Sequence, residues 1–189
     1  VVGDASDNVL VAGWTDSQGA GSNDFLTVKY NSSGTLQWQR ILGGTAADRG
    51  RGVAADAAGN VYVAGLTSTD AAVAKYNSSG TLQWQRTLGG SGTEIGLGIS
   101  ILGTTFVMSA RTSSAGAGGE EGLLVRLPTD GSLTGTYGAF TYAAGSLTSA
   151  TSTLTDAAGA QTDAASSLTA ATATLTDSAA TLTATLTPI

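Results

Sequence analysis

The chain has 189 residues, only 12% of them charged, with 14 acidic side chains against 8 basic ones and a net charge of −6. An acidic surface without a basic patch argues against nucleic acid and anionic membranes as partners, and no apolar run of about 20 residues is present to span a bilayer. Cysteine and histidine are both absent, which removes disulfides, thiolate nucleophiles, imidazole bases and the usual zinc ligands, so no catalytic residue, metal or cofactor is expected.

The chain opens at Val1 with neither an initiator Met nor a signal-peptide pattern. Its internal copies set the organisation: the eleven residues Tyr30 to Arg40 return letter for letter as Tyr76 to Arg86, 46 positions later. A period in that range marks one supersecondary unit that has been copied. In the first copy (1–49), Asp4, Asn8 and Val9 to Gly13 match Asp56, Asn60 and Val61 to Gly65. The offset then drops because the loop from Asp16 to Asp24 is six residues longer than its counterpart. Val1 falls on Val53, inside a strand, so the chain reads as a mature or truncated piece of something longer.

The second copy (50–94) gives the template. Arg51 to Asp56, Val61 to Thr67, Ala71 to Tyr76 and Thr81 to Leu88 have the β-branched and aromatic content of four short strands. Asn77-Ser78-Ser79-Gly80 is a hairpin loop in which Asn forms an Asx-turn and Gly supplies a positive φ. The third copy (95–137) is degenerate. Gly96 to Ser100, Thr105 to Ser109 and Leu123 to Leu127 stand for three strands, and Ser132-Leu133 opens the fourth, with Gly135 at the Trp position.

Four strands per unit of this length is the signature of a β-propeller blade. The stretches Gly-Asn-Val-Tyr-Val-Ala-Gly (59 to 65), Ala-Lys-Tyr-Asn-Ser-Ser-Gly-Thr-Leu-Gln-Trp (74 to 84) and Thr-Leu-Gly-Gly-Ser-Gly (87 to 92) carry a closer likeness. They resemble the bacterial β-propeller repeat often described as the seven-bladed type, over residues 1–137. The resemblance implies an extracellular or cell-surface scaffold and no fixed reaction. Three blades are present where closed propellers use about four to eight, so further blades or chain association are expected to cover the open faces.

From 138 to 189 the composition turns to Thr, Ala, Ser and Leu. Leu147, Leu154, Leu168, Leu175, Leu182 and Ile189 lie on one seven-residue grid, broken only by Gln161, and Thr follows each grid position up to Thr183. A continuous strand would send residues at an odd period to opposite faces, whereas a helix keeps them on one stripe. The tail is therefore expected to be a Leu/Ala heptad helix that self-associates into a stalk or filament, against the rival readings of β-structure and of an irregular linker. The abundance of Thr, a poor helix former, weighs against the helix.

Candidate sites follow. Trp14, unique to the first copy and next to the long loop with Asp16 and Asp24, is the ligand candidate, with a glycan as the ligand class. Trp38 and Trp84, with Tyr30 and Tyr76, are expected to be packing anchors between blades, since a repeated aromatic in a propeller fills the inter-blade core. Arg40 and Arg86 recur and are expected to alternate outward or pair with strand-end acids. Asp4 and Asp56 offer oxygen ligands to calcium, but their loops are too short to gather six or more, which favours Asx-turns. Glu120 and Glu121 read as a solvated loop. Asn31 and Asn77 fit the N-glycosylation acceptor pattern. The chain is expected to be mainly β and a non-enzymatic surface subunit assembled through its tail, with a lectin-like adhesin as the alternative.

Overall fold

The structure is a computed structural model that describes residues 1–116, 118–154, 176–177 and 180–181. Every regular element among the described residues is a β-strand. The chain divides into two units, Val1–Leu154 and Thr155–Ile189. In the second, β15 (Thr176–Asp177) pairs antiparallel with β16 (Ala180–Thr181).

The first unit holds three antiparallel sheets, one per copy. In the first sheet β1 (Val2–Gly3), β2 (Val9–Thr15), β3 (Asp24–Tyr30) and β4 (Leu36–Gly43) follow in chain order. The second repeats that order with β5 (Asp48–Ala55), β6 (Val61–Thr67), β7 (Asp70–Tyr76) and β8 (Leu82–Gly89). The third has β9 (Glu94–Leu102), β10 (Thr105–Thr112) and β11 (Glu121–Pro128). Identical sequence gives identical irregularity: the β3–β4 ladder shifts register between Lys29 and Tyr30, and the β7–β8 ladder between Lys75 and Tyr76.

The sheets pack face to face. Leu10, Phe25, Trp38 and Leu42 of the first sheet meet Val53, Val61, Val63 and Tyr76 of the second in one core cluster. Ala64, Val73 and Leu88 of the second meet Phe106, Met108 and Leu127 of the third in another. The second sheet is covered on both faces, so β6 is apolar at successive positions rather than alternate ones, and Val61 to Leu66 are all buried. Close approach at the inner strands needs glycine: a Cβ on Gly50 would lie 2.8 Å from the Gly13 carbonyl, and one on Gly96 2.8 Å from the Gly65 carbonyl.

Two expectations are corrected here. The third copy has no fourth strand of its own, because the residues after Gly131 lack the Gln-Trp-Gln-Arg strand and leave the sheet. β12 (Gly135–Tyr137) and β13 (Phe140–Ala144) form a hairpin that pairs onto β8 of the second sheet. Residues 138–154 likewise contain strands and no helix: beside β13, β14 (Thr148–Thr151) pairs onto β4 of the first sheet. The odd period is accommodated because the segment is not one continuous strand; it breaks between Ala144 and Thr148 as it steps from one sheet to the next. Leu147 is half-buried against the first core cluster, and Leu154 lies at the end of this returning segment, so neither sits on a stalk seam. Leu168, Leu175, Leu182 and Ile189, and the expected helix through them, lie outside the described residues.

Candidate functional site

The side chains set apart by their repetition converge on the junctions between sheets. The Trp38 indole N–H donates to the Ser78 carbonyl at 3.0 Å, and its ring lies 5.9 Å from that of Tyr76. The Arg40 guanidinium donates to the Gly80 carbonyl at 2.7 Å and stacks 5.8 Å from the Trp38 ring centroid. One sheet further on, Trp84 donates to the Thr129 carbonyl at 3.2 Å, and Arg86 donates to the Gly131 carbonyl. Each Trp–Arg pair thus caps the hairpin tip of the following sheet. Gly80 and Gly131 are buried under these indoles, with a Cβ at either lying 2.7 Å from the ring, while Gly34 at the first tip is exposed. The two arginines therefore neither alternate outward nor pair with strand-end acids, because the uncapped carbonyls of the neighbouring hairpin are the nearer acceptors. Tyr30, half-buried, ends β3 at the same register as the fully buried Tyr76 ends β7.

The repeated acids also serve the backbone. Asp4 Oδ1 accepts the Ser6 and Asn8 amides, and Asp56 Oδ1 accepts the Ala58 and Asn60 amides at 3.0 and 2.9 Å. Asp4 also pairs with Lys29 at 2.9 Å, with both side chains almost wholly buried. Burial alone would raise the Asp4 carboxyl, but the Asn8 and Lys29 side chains and the two amides outweigh it and hold it well below the usual carboxylate range. Burial acts against Asp56 in the same way and is again outweighed, by Asn60, Tyr62 and the turn amides. These oxygens are Asx-turn acceptors. Asn31 and Asn77 act alike, each Oδ1 accepting two amides of its own tip. Glu120 makes an exposed ion pair with Arg111. Among the described residues no group of three or more acids is placed to hold a metal ion.

The long loop of the first copy looks different. Trp14 is 53% exposed, with the Arg49 guanidinium 5.9 Å from its ring centroid. Asp16 is exposed beside Ser17. Asp24 is fully buried, and neither carboxylate oxygen has a hydrogen-bond partner among the described residues. Trp14 pairs with Phe25 and Thr15 with Asp24 across the β2–β3 ladder, so the Trp14 and Asp24 side chains leave opposite faces of the sheet. The structure does not bring the three ligand candidates together. The position 46 residues beyond Asp24 is Asp70, and both face a glycine, Gly43 and Gly89, whose Cβ would collide with the carboxylate. That repetition marks Asp24 as a feature of the unit and was available in the sequence.

Sequence reasoning passed over Gln39 and Gln85. Gln85 Nε2 donates to the Leu147 carbonyl at 2.6 Å while its Oε1 accepts the Leu147 amide at 3.1 Å. Gln39 Nε2 donates to the Leu154 carbonyl at 2.5 Å. Their identity in both copies was the available signal.

Two family models match the chain. Residues 5–36 match a β-propeller domain of unknown function, and residues 37–70 match a β-propeller repeat. No curated protein matches it. Residues 5–70, which span most of the first sheet and the first half of the second, are thus similar to β-propeller repeats, and the fold of the described residues is mainly β in several antiparallel sheets.

Proposed function

We propose that the protein is a non-enzymatic structural subunit of an extracellular or cell-surface assembly, in which the residues beyond Leu154 associate and the blades are displayed. One observation carries the reading: the repeated polar side chains are spent on the fold itself. Asp4 and Asp56 close turns, Arg40 and Arg86 cap hairpins, and Gln39 and Gln85 hold backbone. Removal of 155–189 leaves every strand of the first unit in place, since β12 to β14 end before it. The shortened chain should be monomeric by light scattering while the full chain is not; an assembly of unchanged size would overturn this role for the tail.

The adhesin reading has its own support in the exposed Trp14 ring backed by Arg49, an arrangement suited to stacking on an apolar sugar face. On a glycan array Trp14→Ala should abolish any binding the native chain shows. Binding that survives the substitution would remove Trp14 as the ligand contact.

A further inference from the structure

The returning segment repeats its contacts at a fixed interval. On β8, Thr141 pairs with Gly89, Tyr142 with Leu88, Ala143 with Thr87 and Ala144 with Arg86. On β4, Thr148 pairs with Gly43, Ser149 with Leu42, Ala150 with Ile41 and Thr151 with Arg40. Every step of seven residues in the segment matches a step of 46 in the blades. The contacts beyond the ladders keep the same register: the Gly145 amide donates to the Gln85 carbonyl and the Ser152 amide to the Gln39 carbonyl, at 3.2 and 3.5 Å. The Gln85 and Gln39 side chains then clasp the carbonyls of Leu147 and Leu154. One heptad covers one blade edge and carries the chain to the next.

We propose that the outer edge of a Leu-Gln-Trp-Gln-Arg strand is an acceptor site for one extended heptad of the form Thr-x-Ala/Ser-x-x-x-x. The seven-residue period of the C-terminal sequence is, on this view, the blade-to-blade step. Residues 141–189 contain seven successive heptads, and the two acceptor strands, β4 and β8, use the first two. Four of the other five keep the pattern, with Thr185 at the third position of the last: Thr155 to Gln161 reads Thr-Asp-Ala-Ala-Gly-Ala-Gln beside Thr-Tyr-Ala-Ala-Gly-Ser-Leu at Thr141 to Leu147. Thr169 to Leu175 differs from Thr148 to Leu154 only in having Ala where Ser149 and Ser152 stand. The partner these heptads fit is a further blade edge with the same strand, recognised through backbone ladder bonds and the glutamine clasp, while the second heptad position varies with the edge it meets, from the fully buried Tyr142 on β8 to the half-buried Ser149 on β4. A second copy of this chain offers no such edge, because its own β4 and β8 are covered. The β15–β16 ladder lies inside the sixth heptad, and docking of that heptad would replace it. The acceptor site stands whether or not the tail assembles the protein, so the two readings fail separately.

The test is to delete 148–154, which brings Thr155 to Gln161 up to β4, and to follow amide exchange. Alternate amides of Arg40 to Gly43 face β14. If heptads are interchangeable these amides exchange less than about fivefold faster than in the native chain; a larger acceleration, with Phe106 and Met108 of β10 unchanged, overturns the proposal. If β10 also accelerates, the deletion has unfolded the chain and the double variant Ser149→Ala/Ser152→Ala decides. It converts the second heptad into the sequence of the fifth, and loss of β4 protection in it overturns the proposal equally.

Discussion

The Trp38 indole is the most direct test of how adjacent sheets are joined. The side chain is 7% exposed, lies against Tyr76 and the Gly80 tip, and donates its N–H to the Ser78 carbonyl across the junction. Trp38→Ala removes this apolar surface, opens a cavity against a hairpin that cannot collapse without moving Arg40, and strands a carbonyl. Substitutions of this kind cost about 3–5 kcal/mol. For a chain of this size each kcal/mol lowers the melting temperature by roughly 2–4 °C, so a loss of about 6–20 °C is expected. Urea unfolding followed by far-UV circular dichroism measures it as a lower midpoint at unchanged slope. Trp38→Phe should retain most of the packing and lose about 1 kcal/mol for the missing indole donor. Trp84→Ala should cost less than Trp38→Ala because that ring is only half-buried. A loss below about 1 kcal/mol for Trp38→Ala would refute the reasoning, since the measured cavity series leaves no room for so small a value at a filled junction.

Asp4 carries an acid-stability prediction. Its folded carboxyl is held below its unfolded range, so its contribution is present above pH of about 4, the unfolded carboxylate value, and is lost as pH falls through the lower folded value. Asp4→Asn should flatten that part of the stability–pH curve and destabilise the chain at neutral pH by stranding Lys29; an unchanged acid limb would argue against the ion pair. At the alkaline end, burial pushes the Tyr76 phenol up to about 12, so its contribution is intact below its unfolded value near 10 and is lost as pH rises toward 12; because burial also raises Tyr62 and Tyr142, Tyr76→Phe should reduce the alkaline loss without abolishing it. Asp24→Ala removes a fully buried side chain whose two oxygens have no hydrogen-bond partner among the described residues and should raise stability by about 1 kcal/mol in thermal melts. A loss of stability instead would refute this reading of Asp24.

The strands of the first two copies, their order within each sheet and the repeat were legible in the sequence, because exact duplication, β-branched runs and Asn-Ser-Ser-Gly tips act locally. The role of Trp38 and Trp84 as junction residues was legible for the same reason. Where the chain goes after Gly131 was not. A heptad of Thr, Ala and Leu satisfies a helical stripe on paper, and nothing local states that its seven-residue step equals the separation of two blade edges. That equality exists only once the blades stand side by side with β4 and β8 unpaired and Gln39 and Gln85 turned outward to receive backbone. The ligand candidates divided along the same line: residue type suggested Trp14, Asp16 and Asp24 together, but β alternation, fixed by the pairing of β2 with β3, sent the indole and the buried carboxylate to opposite faces.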